Sequence, residues 1–209
     1  MVNSPPSDDV GILILAGGEA TRLPGKLMLD AGGVPLLTRV YLNLTSDAPG
    51  REVALGCSAA NQAPFAALLP IPIIVDRSAG RGPLGGMLTA FAVMRSRRVF
   101  VAAGDAPFLD AKLVQRLAAV WQDGDECVVP QLVVAGSPTI EPLAALYDRI
   151  ALLREGPEVL RSCGGGVQIA VQRLRARSVP NENPRTFTNV NTPLEYAALL
   201  HALRERTTI

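Results

Sequence analysis

Near its start the chain carries six mostly aliphatic residues, Val-Gly-Ile-Leu-Ile-Leu from Val10 to Leu15, with no polar alternation. A strand with one wet face alternates. A strand without that alternation is buried on both faces, which confines it to the interior of a helix-covered sheet. The run breaks at Ala16-Gly17-Gly18, where small side chains leave the backbone uncovered and positive φ is accessible. A loop of this kind can bring N–H groups against a phosphate or a nucleobase. Arg22 and Lys26 follow within a few residues and carry charge that can meet a polyphosphate. The other reading of the same residues is a tight strand exit with two solvated cations.

Two familiar glycine motifs do not fit this loop. The dinucleotide fingerprint G-x-G-x-x-G fails because Gly17 and Gly18 are adjacent. The G-x-x-x-x-G-K-[ST] phosphate loop fails at both ends, because Ala20 stands where its first glycine belongs and Leu27 where its hydroxyl belongs.

The rest of the composition removes whole classes of function. At 209 residues, 48% hydrophobic and 19% charged, the chain suits a single globular domain over residues 10–209. A net charge of +1 and 4% aromatic residues offer neither a field nor a stacking surface for nucleic acid. Cys57, Cys127 and Cys163 are distant and odd in number, which argues against a disulfide framework or a zinc knuckle. Each reads as a small buried hydrophobe. His201 is the sole histidine, among leucines near the C-terminus, so a Ser-His-Asp triad or a histidine-held metal is not expected. Residues 1–9 read as a disordered tail rather than a signal peptide. No apolar run approaches the roughly 20 residues that span a membrane, and a cytoplasmic protein is expected. Of the 20 basic residues only Lys26 and Lys112 are lysines, so a lysine just after the glycine loop suggests that a compact point charge is wanted there.

Along the chain, helices are predicted over residues 35–44, 59–69 (interrupted by Pro64), 84–95 and 110–122, the last capped by Asp110. Strands are predicted over 51–56, 71–75, 98–103 and 126–130, with Pro72 setting the second of these near a sheet edge. This alternation predicts an α/β fold with a mostly parallel sheet flanked by helices. The C-terminal third reads as less regular: an antiparallel return strand over 141–147, a helix over 151–162 bent near Gly156-Pro157, and helical residues up to 174. A turn-rich stretch over 178–185, a short strand over 187–191 and a closing helix over 194–206 follow.

In such sheets ligands bind outside the carboxyl ends of the strands. The segments after the first, third and fourth strands are 16–26, 76–86 and 104–107, so they converge on one sheet edge. Asp105 follows a buried strand and a glycine, a good seat for a ligand to Mg²⁺; a carboxylate capping an Asp-x-Pro turn fits the same residues. Asp76 can accept from a ribose hydroxyl or a base, or pair with Arg77. Gly82, Pro83, Leu84 and Gly85 open a helix with unpaired N–H groups, or simply allow it to pack closely on the sheet.

Taken together, Leu-Ala-Gly-Gly-x-x-x-Arg with Lys26, Gly-Pro-Leu-Gly-Gly-Met (82–87), Gly-Asp-Ala-Pro-Phe (104–108), Glu-Pro-Leu-Ala-Ala-Leu-Tyr (141–147) and Phe-x-Asn-Val-Asn-Thr-Pro (187–193) resemble the MobA-like nucleotidyltransferases. Within them the match is best to the molybdenum cofactor guanylyltransferases. The resemblance implies a Rossmann-like fold that takes GTP and Mg²⁺, transfers GMP to the terminal phosphate of a molybdopterin acceptor and releases pyrophosphate. Contact with molybdoenzymes or cofactor chaperones is implied as well. Carried over, Leu15, Ala16 and Gly17 contact the nucleotide, Gly18 and Arg22 lie near its phosphates, and Lys26 neutralises them. Asp76 and the 82–85 segment also serve the nucleotide, Asp105 binds Mg²⁺ and the nucleotide, and Asn189 and Asn191 lie by the reacting phosphates or the metal. The chain departs from the family at Arg22-Leu-Pro-Gly-Lys26, which is shorter than the usual loop and lacks an acidic residue before the lysine, and at Gly56-Cys-Ser, where some members have an asparagine. A related transferase using CTP or another nucleotide, on the pterin or on a sugar or polyol phosphate, and a non-catalytic nucleotide-binding subunit are the competing readings.

Overall fold

The first strand, β1, forms over Val10–Leu15, and its side chains divide between two cores. Ile12 and Ile14 pack with Leu37, Val40, Phe100 and Leu113. Leu13 points the other way and packs with Leu84, Met87, Phe91 and Tyr147. Each face of the strand meets its own helical layer, which is why no position between Ile12 and Leu15 tolerates a polar residue. The computed structural model describes residues 10–18, 22–48, 50–76, 81–134, 136–162, 166–181 and 183–207; the expected tail at 1–9 lies outside them.

After β1 come α1 (Leu36–Thr45), β2 (Val53–Cys57), α2 (Gln62–Ala66), β3 (Ile73–Val75), α3 (Gly82–Phe91), β4 (Arg98–Ala103) and α4 (Ala111–Ala119). These strands pair in parallel in the order β3-β2-β1-β4. The chain continues through β5 (Cys127–Val134), β6 (Ser137–Ile140), β7 (Ala144–Asp148), α5 (Arg149–Ser162), α6 (Val167–Arg173), β8 (Ala176–Pro180) and α7 (Pro193–Thr207). β7 is the expected return strand, set antiparallel between β4 and β5 with Leu146 opposite Phe100. The result is a Rossmann-like α/β fold with a parallel core, covered by helices and extended by antiparallel strands. Ile14 is fully buried at its centre, so Ile14→Val removes one methylene from a packed site. Thermal or urea unfolding is expected to read a loss of about 0.5–1.5 kcal/mol.

Several elements differ from the sequence expectation. β5 does not stop at residue 130. It runs to Val134 and turns through Gly136, at φ 81°, into β6; Val133 and Val134 are exposed there, so no burial pattern announces the hairpin. β8 runs into the start of the stretch expected to be turn-rich, as an outer strand whose alternating exposure and terminal Pro180 suit a sheet margin. The strand expected over 187–191 is absent. Pro184–Phe187 forms a 3₁₀ turn, and the Val190 N–H, instead of joining a ladder, donates to the Asp105 carbonyl at 2.9 Å. Pro64 does not interrupt α2 but sits in its first turn, where no N–H is needed. α3 begins earlier, at Gly82, and α5 continues through Pro157. Asp110 caps α4 as expected, accepting from Leu113 N–H at 3.0 Å.

Cys57 and Cys127 are buried free thiols, and burial pushes both up from their ordinary range; Cys163 lies outside the described residues. His201 is exposed on α7, beside Glu205. No helix among the described residues is long and apolar enough to cross a membrane.

Candidate active site

The carboxyl ends of β1, β2 and β4 are locked together by backbone bonds that extend the ladders by one residue. Ala16 N–H donates to Gly56 O at 2.8 Å, and Gly104 N–H donates to Leu15 O at 2.9 Å. Gly104 suits this close approach, because a Cβ there would stand 3.1 Å from Leu15 O and 3.3 Å from a Leu37 methyl and the neighbours would have to give. Beyond that lock, Ala16 stays buried while Gly17 and Gly18 are exposed. Gly18 has φ 111°, and a Cβ on either glycine would meet nothing within 4 Å. Among the described residues, the backbone at Gly17 and Gly18 is therefore uncovered. Residues 19–21 lie outside the described residues.

The loop returns through Gly25, at φ 67°, into a 3₁₀ turn over Lys26–Met28 closed by Met28 N–H on Gly25 O at 2.8 Å. Leu23 and Leu27 anchor the returning segment against Ala31, Leu36, Val190 and Leu199. Tyr196 on α7 donates to the Asp30 carbonyl at 2.5 Å. So held, Lys26 turns its ammonium toward the end of β4. It donates to the Asp105 carboxylate and, at 2.6 Å, to the Asn191 side-chain carbonyl. The Lys26 and Asp105 side chains are only 13% and 17% exposed. That leaves one face of the cluster wet and makes their pairing less screened than a surface ion pair.

Asn191 is brought in from the far end of the chain. The bond from Val190 N–H to Asp105 O docks the 188–192 segment on the β4 loop. Glu195, at the start of α7, accepts from Asn191 N–H at 2.7 Å and Thr192 N–H at 2.8 Å. Hydrogen bonds from Asn191 and Thr192, assisted by the positive charge of Arg22, outweigh partial desolvation and hold the Glu195 carboxyl below its usual range. Arg22 is itself exposed, on the Glu195 side of the cluster.

A second group forms over β3 and α3. Asp76 N–H donates to Cys57 O at 2.8 Å, and the Asp76 carboxylate accepts from Thr89 Oγ1 at 3.2 Å. Gly86 lies against both Asp76 and Leu15: a Cβ on it would be 3.6 Å from the carboxylate and 3.5 Å from a leucine methyl. α3 opens on Gly82, at φ 63°, followed by Pro83, with no capping bond from the Arg81 side chain; Leu84 and Gly85 are buried behind this opening. The first N–H groups of a helix, together with its dipole, favour an anion at such an end.

The structure thus sets Leu15, Ala16, Gly17, Gly18, Asp76, Gly82–Gly85 and Asp105 along one sheet edge. It brings Lys26, Asp105 and Asn191 into direct contact. Asn189 is exposed one residue from Val190 and joins no described contact with the cluster. Two neighbours were not anticipated. Thr89, which bonds Asp76, has no sequence signature. Glu195 has one, because Thr192-x-x-Glu195 is the capping-box pattern at the head of a helix.

Comparison with known proteins gives the family. Residues 12–176 match the family model of the MobA-like NTP transferase domain. A probable molybdenum cofactor guanylyltransferase of Carboxydothermus hydrogenoformans is 30% identical over 196 residues, 90% of this chain and 94% of that protein. The molybdenum cofactor guanylyltransferase of Cupriavidus pinatubonensis is 28% identical over 190 residues, covering 88% and 93%. In structure, molybdopterin-guanine dinucleotide biosynthesis protein A of Archaeoglobus fulgidus superposes with a TM-score of 0.75 at 20% identity, over 93% of this chain and 99% of that one. An open glycine loop, a lysine–aspartate–asparagine cluster and this match over most of the chain lead to one assignment: the chain belongs to the MobA-like NTP transferase family.

Proposed function

We propose that this protein is a molybdenum cofactor guanylyltransferase, a cytoplasmic single-domain enzyme that moves GMP from GTP to the terminal phosphate of molybdopterin. The observation that carries this reading is the meeting of Lys26, Asp105 and Asn191 beside the open Gly17-Gly18 loop, in a chain whose relatives bear that activity's name. An oxygen of the acceptor phosphate attacks the α-phosphorus of GTP. A new P–O bond forms, the bond from the α-phosphorus to its bridging oxygen breaks, and pyrophosphate leaves with the electron pair. Such a transfer asks for alignment and charge neutralisation rather than covalent help.

The residues divide that work. Leu15, Ala16 and Gly17 seat the nucleotide, with Gly18 and Arg22 along its phosphates. Asp76, steadied by Thr89, accepts from the nucleoside, and the 82–85 helix opening adds N–H groups. Lys26 offsets the charge that gathers as the acceptor approaches, and Asn189 and Asn191 line the acceptor side. Mg²⁺ suits this place by donor chemistry. The Asp105 carboxylate and Asn191 carbonyl are hard oxygen donors already directed at a cation, the Lys26 ammonium. Among the described residues no group of three or more His, Cys, Asp or Glu could hold a metal alone, which fits an ion that completes its shell with phosphates and water. Asp105, with Asn191 beside it, would hold it; bound there, Mg²⁺ would withdraw charge from the phosphates.

Thermal shifts with GTP, CTP, ATP and UTP, each with and without Mg²⁺, test the reading. A nucleotide at 100 times its dissociation constant adds about 2.7 kcal/mol to the folded state. GTP with Mg²⁺ is expected to raise Tm most. A larger shift with CTP, ATP or UTP transfers the assignment to another base, and no shift with any of them overturns nucleotide transfer itself.

A further inference from the structure

The Asn-Val-Asn-Thr-Pro segment runs into a device whose second half has no role in holding a helix. Thr192-Pro193-Leu194-Glu195 opens α7 as a capping box: Glu195 N–H donates to Thr192 Oγ1 at 3.2 Å, and Thr192 N–H donates to Glu195 Oε2 at 2.8 Å. That pair of bonds completes the cap. The same Oε2 also accepts from Asn191 N–H at 2.7 Å, one residue outside it. Two consecutive backbone donors therefore converge on a single carboxylate oxygen. The outer one belongs to the residue whose side-chain carbonyl meets Lys26. One step further back, Val190 N–H is bound to Asp105 O. The backbone is thus pinned at Val190, Asn191 and Thr192 in succession, and the Asn191 Cα–Cβ direction is fixed with it. A carboxylate suits this post, because hydrogen bonds to a charged acceptor are roughly twice as strong as neutral ones.

We propose that Glu195 is a positioning residue for nucleotidyl transfer: through the Asn191 N–H it sets the Asn191 side-chain oxygen against Lys26, and so holds the ammonium in register with Asp105. The inference rests on the nucleotidyltransferase reading above. Glu195 touches no reacting atom in this account and acts only through Asn191.

The test is a double-mutant cycle on the full chain, read as kcat and KM for GTP with Mg²⁺, with melting temperatures alongside. Glu195→Ala is expected to lower kcat by up to about a hundredfold, the scale of a small misplacement at a reacting centre, with KM for GTP nearly unchanged. Glu195→Gln keeps a carbonyl acceptor and is expected to recover most of that loss. In an Asn191→Ala background, Glu195→Ala is expected to lower kcat no further. Val171→Ala on α6 removes packing from the second core, which Leu23, Leu27 and Val190 do not join, and is expected to lower Tm while kcat stays at the wild-type value. Multiplying losses in the cycle, or kcat falling in step with Tm across the set, overturns the inference and reduces Glu195 to a helix cap. The ¹⁵N-detected Asn191 side-chain amide gives a readout independent of turnover: it is expected to shift in Glu195→Ala and to stay in place in Val171→Ala. An unmoved amide in Glu195→Ala overturns the positioning role even where the wild type transfers no nucleotide, an outcome that would separately sink the assigned reaction.

Discussion

Replacing Asp105 by asparagine is expected to reduce GMP transfer by about 10²–10³-fold or more while the protein still folds. The substitution conserves shape, so the bond from Val190 N–H to the residue 105 carbonyl and the packing of the β4 loop persist. What is lost is charge. The carboxylate balances Lys26 and is the anionic oxygen donor that would hold Mg²⁺; a neutral amide does neither with comparable strength. Single-turnover formation of pyrophosphate, beside a melting curve, separates the two effects. The expected pattern is a collapse in rate with a modest change in Tm. Transfer at the wild-type rate would remove Asp105 from the site and with it the proposed metal position.

The second large effect is expected at Lys26. Lys26→Met removes the ammonium that bridges Asp105 and Asn191, leaving a mostly covered carboxylate without its cation. A loss of about 10²-fold in kcat/KM for GTP is expected, the scale of removing one preorganised charge from a phosphoryl centre. Stability should move far less than for a fully buried pair, because the wet face of the cluster lets solvent screen the orphaned carboxylate. Lys26→Arg is expected to rescue poorly. A guanidinium is a wide planar fork, whereas the two acceptors here converge on one nitrogen. Kinetics of the two variants under saturating Mg²⁺ decide the matter: an arginine variant as active as wild type would mean that only net charge is needed, and that the point geometry carries no weight.

The acid side of the pH profile bears on the same cluster. Glu195 has its carboxyl held down chiefly by the Asn191 N–H, so its contribution is present above the ordinary carboxylate range and is lost as pH falls through the lowered folded value. The Glu195 contributions to kcat and to Tm are therefore expected to fall together in that acid window, which pH profiles of both quantities for the wild type and Glu195→Gln would read.

How much of this was legible beforehand varies with the range of the forces involved. β1 and β4 have the bounds that their apolar runs predict, because burial on both faces leaves an unbroken run that no other environment selects. The Asp110 cap is equally local, one side chain meeting an N–H three residues on. The β5–β6 hairpin and β8 escaped notice for the opposite reason. Their exposed valines and alternating surface residues carry no burial signal, and they are strands only because β5 supplies their partners.

At the site, the chemical types and the sheet edge could be read from sequence alone. Adjacent glycines after a buried strand, a rare lysine, and an aspartate after a buried strand and a glycine are each local statements about backbone freedom and charge. Which of them meet could not be read. Lys26 is 79 residues from Asp105 and 165 from Asn191, and only the parallel pairing of β1 with β4 and the docking of Val190 on Asp105 bring them together. Glu195 divides along the same line. Its capping-box pattern with Thr192 is written in four consecutive residues, whereas the consequence of its further bond to Asn191 exists only once that asparagine reaches Lys26. Local sequence determined the elements, the open loop and the kinds of group at the edge, because those depend on neighbours along the chain. Tertiary structure alone decided which groups touch, because contacts across so long a span form only after the two cores and the strand ladders have closed the chain on itself.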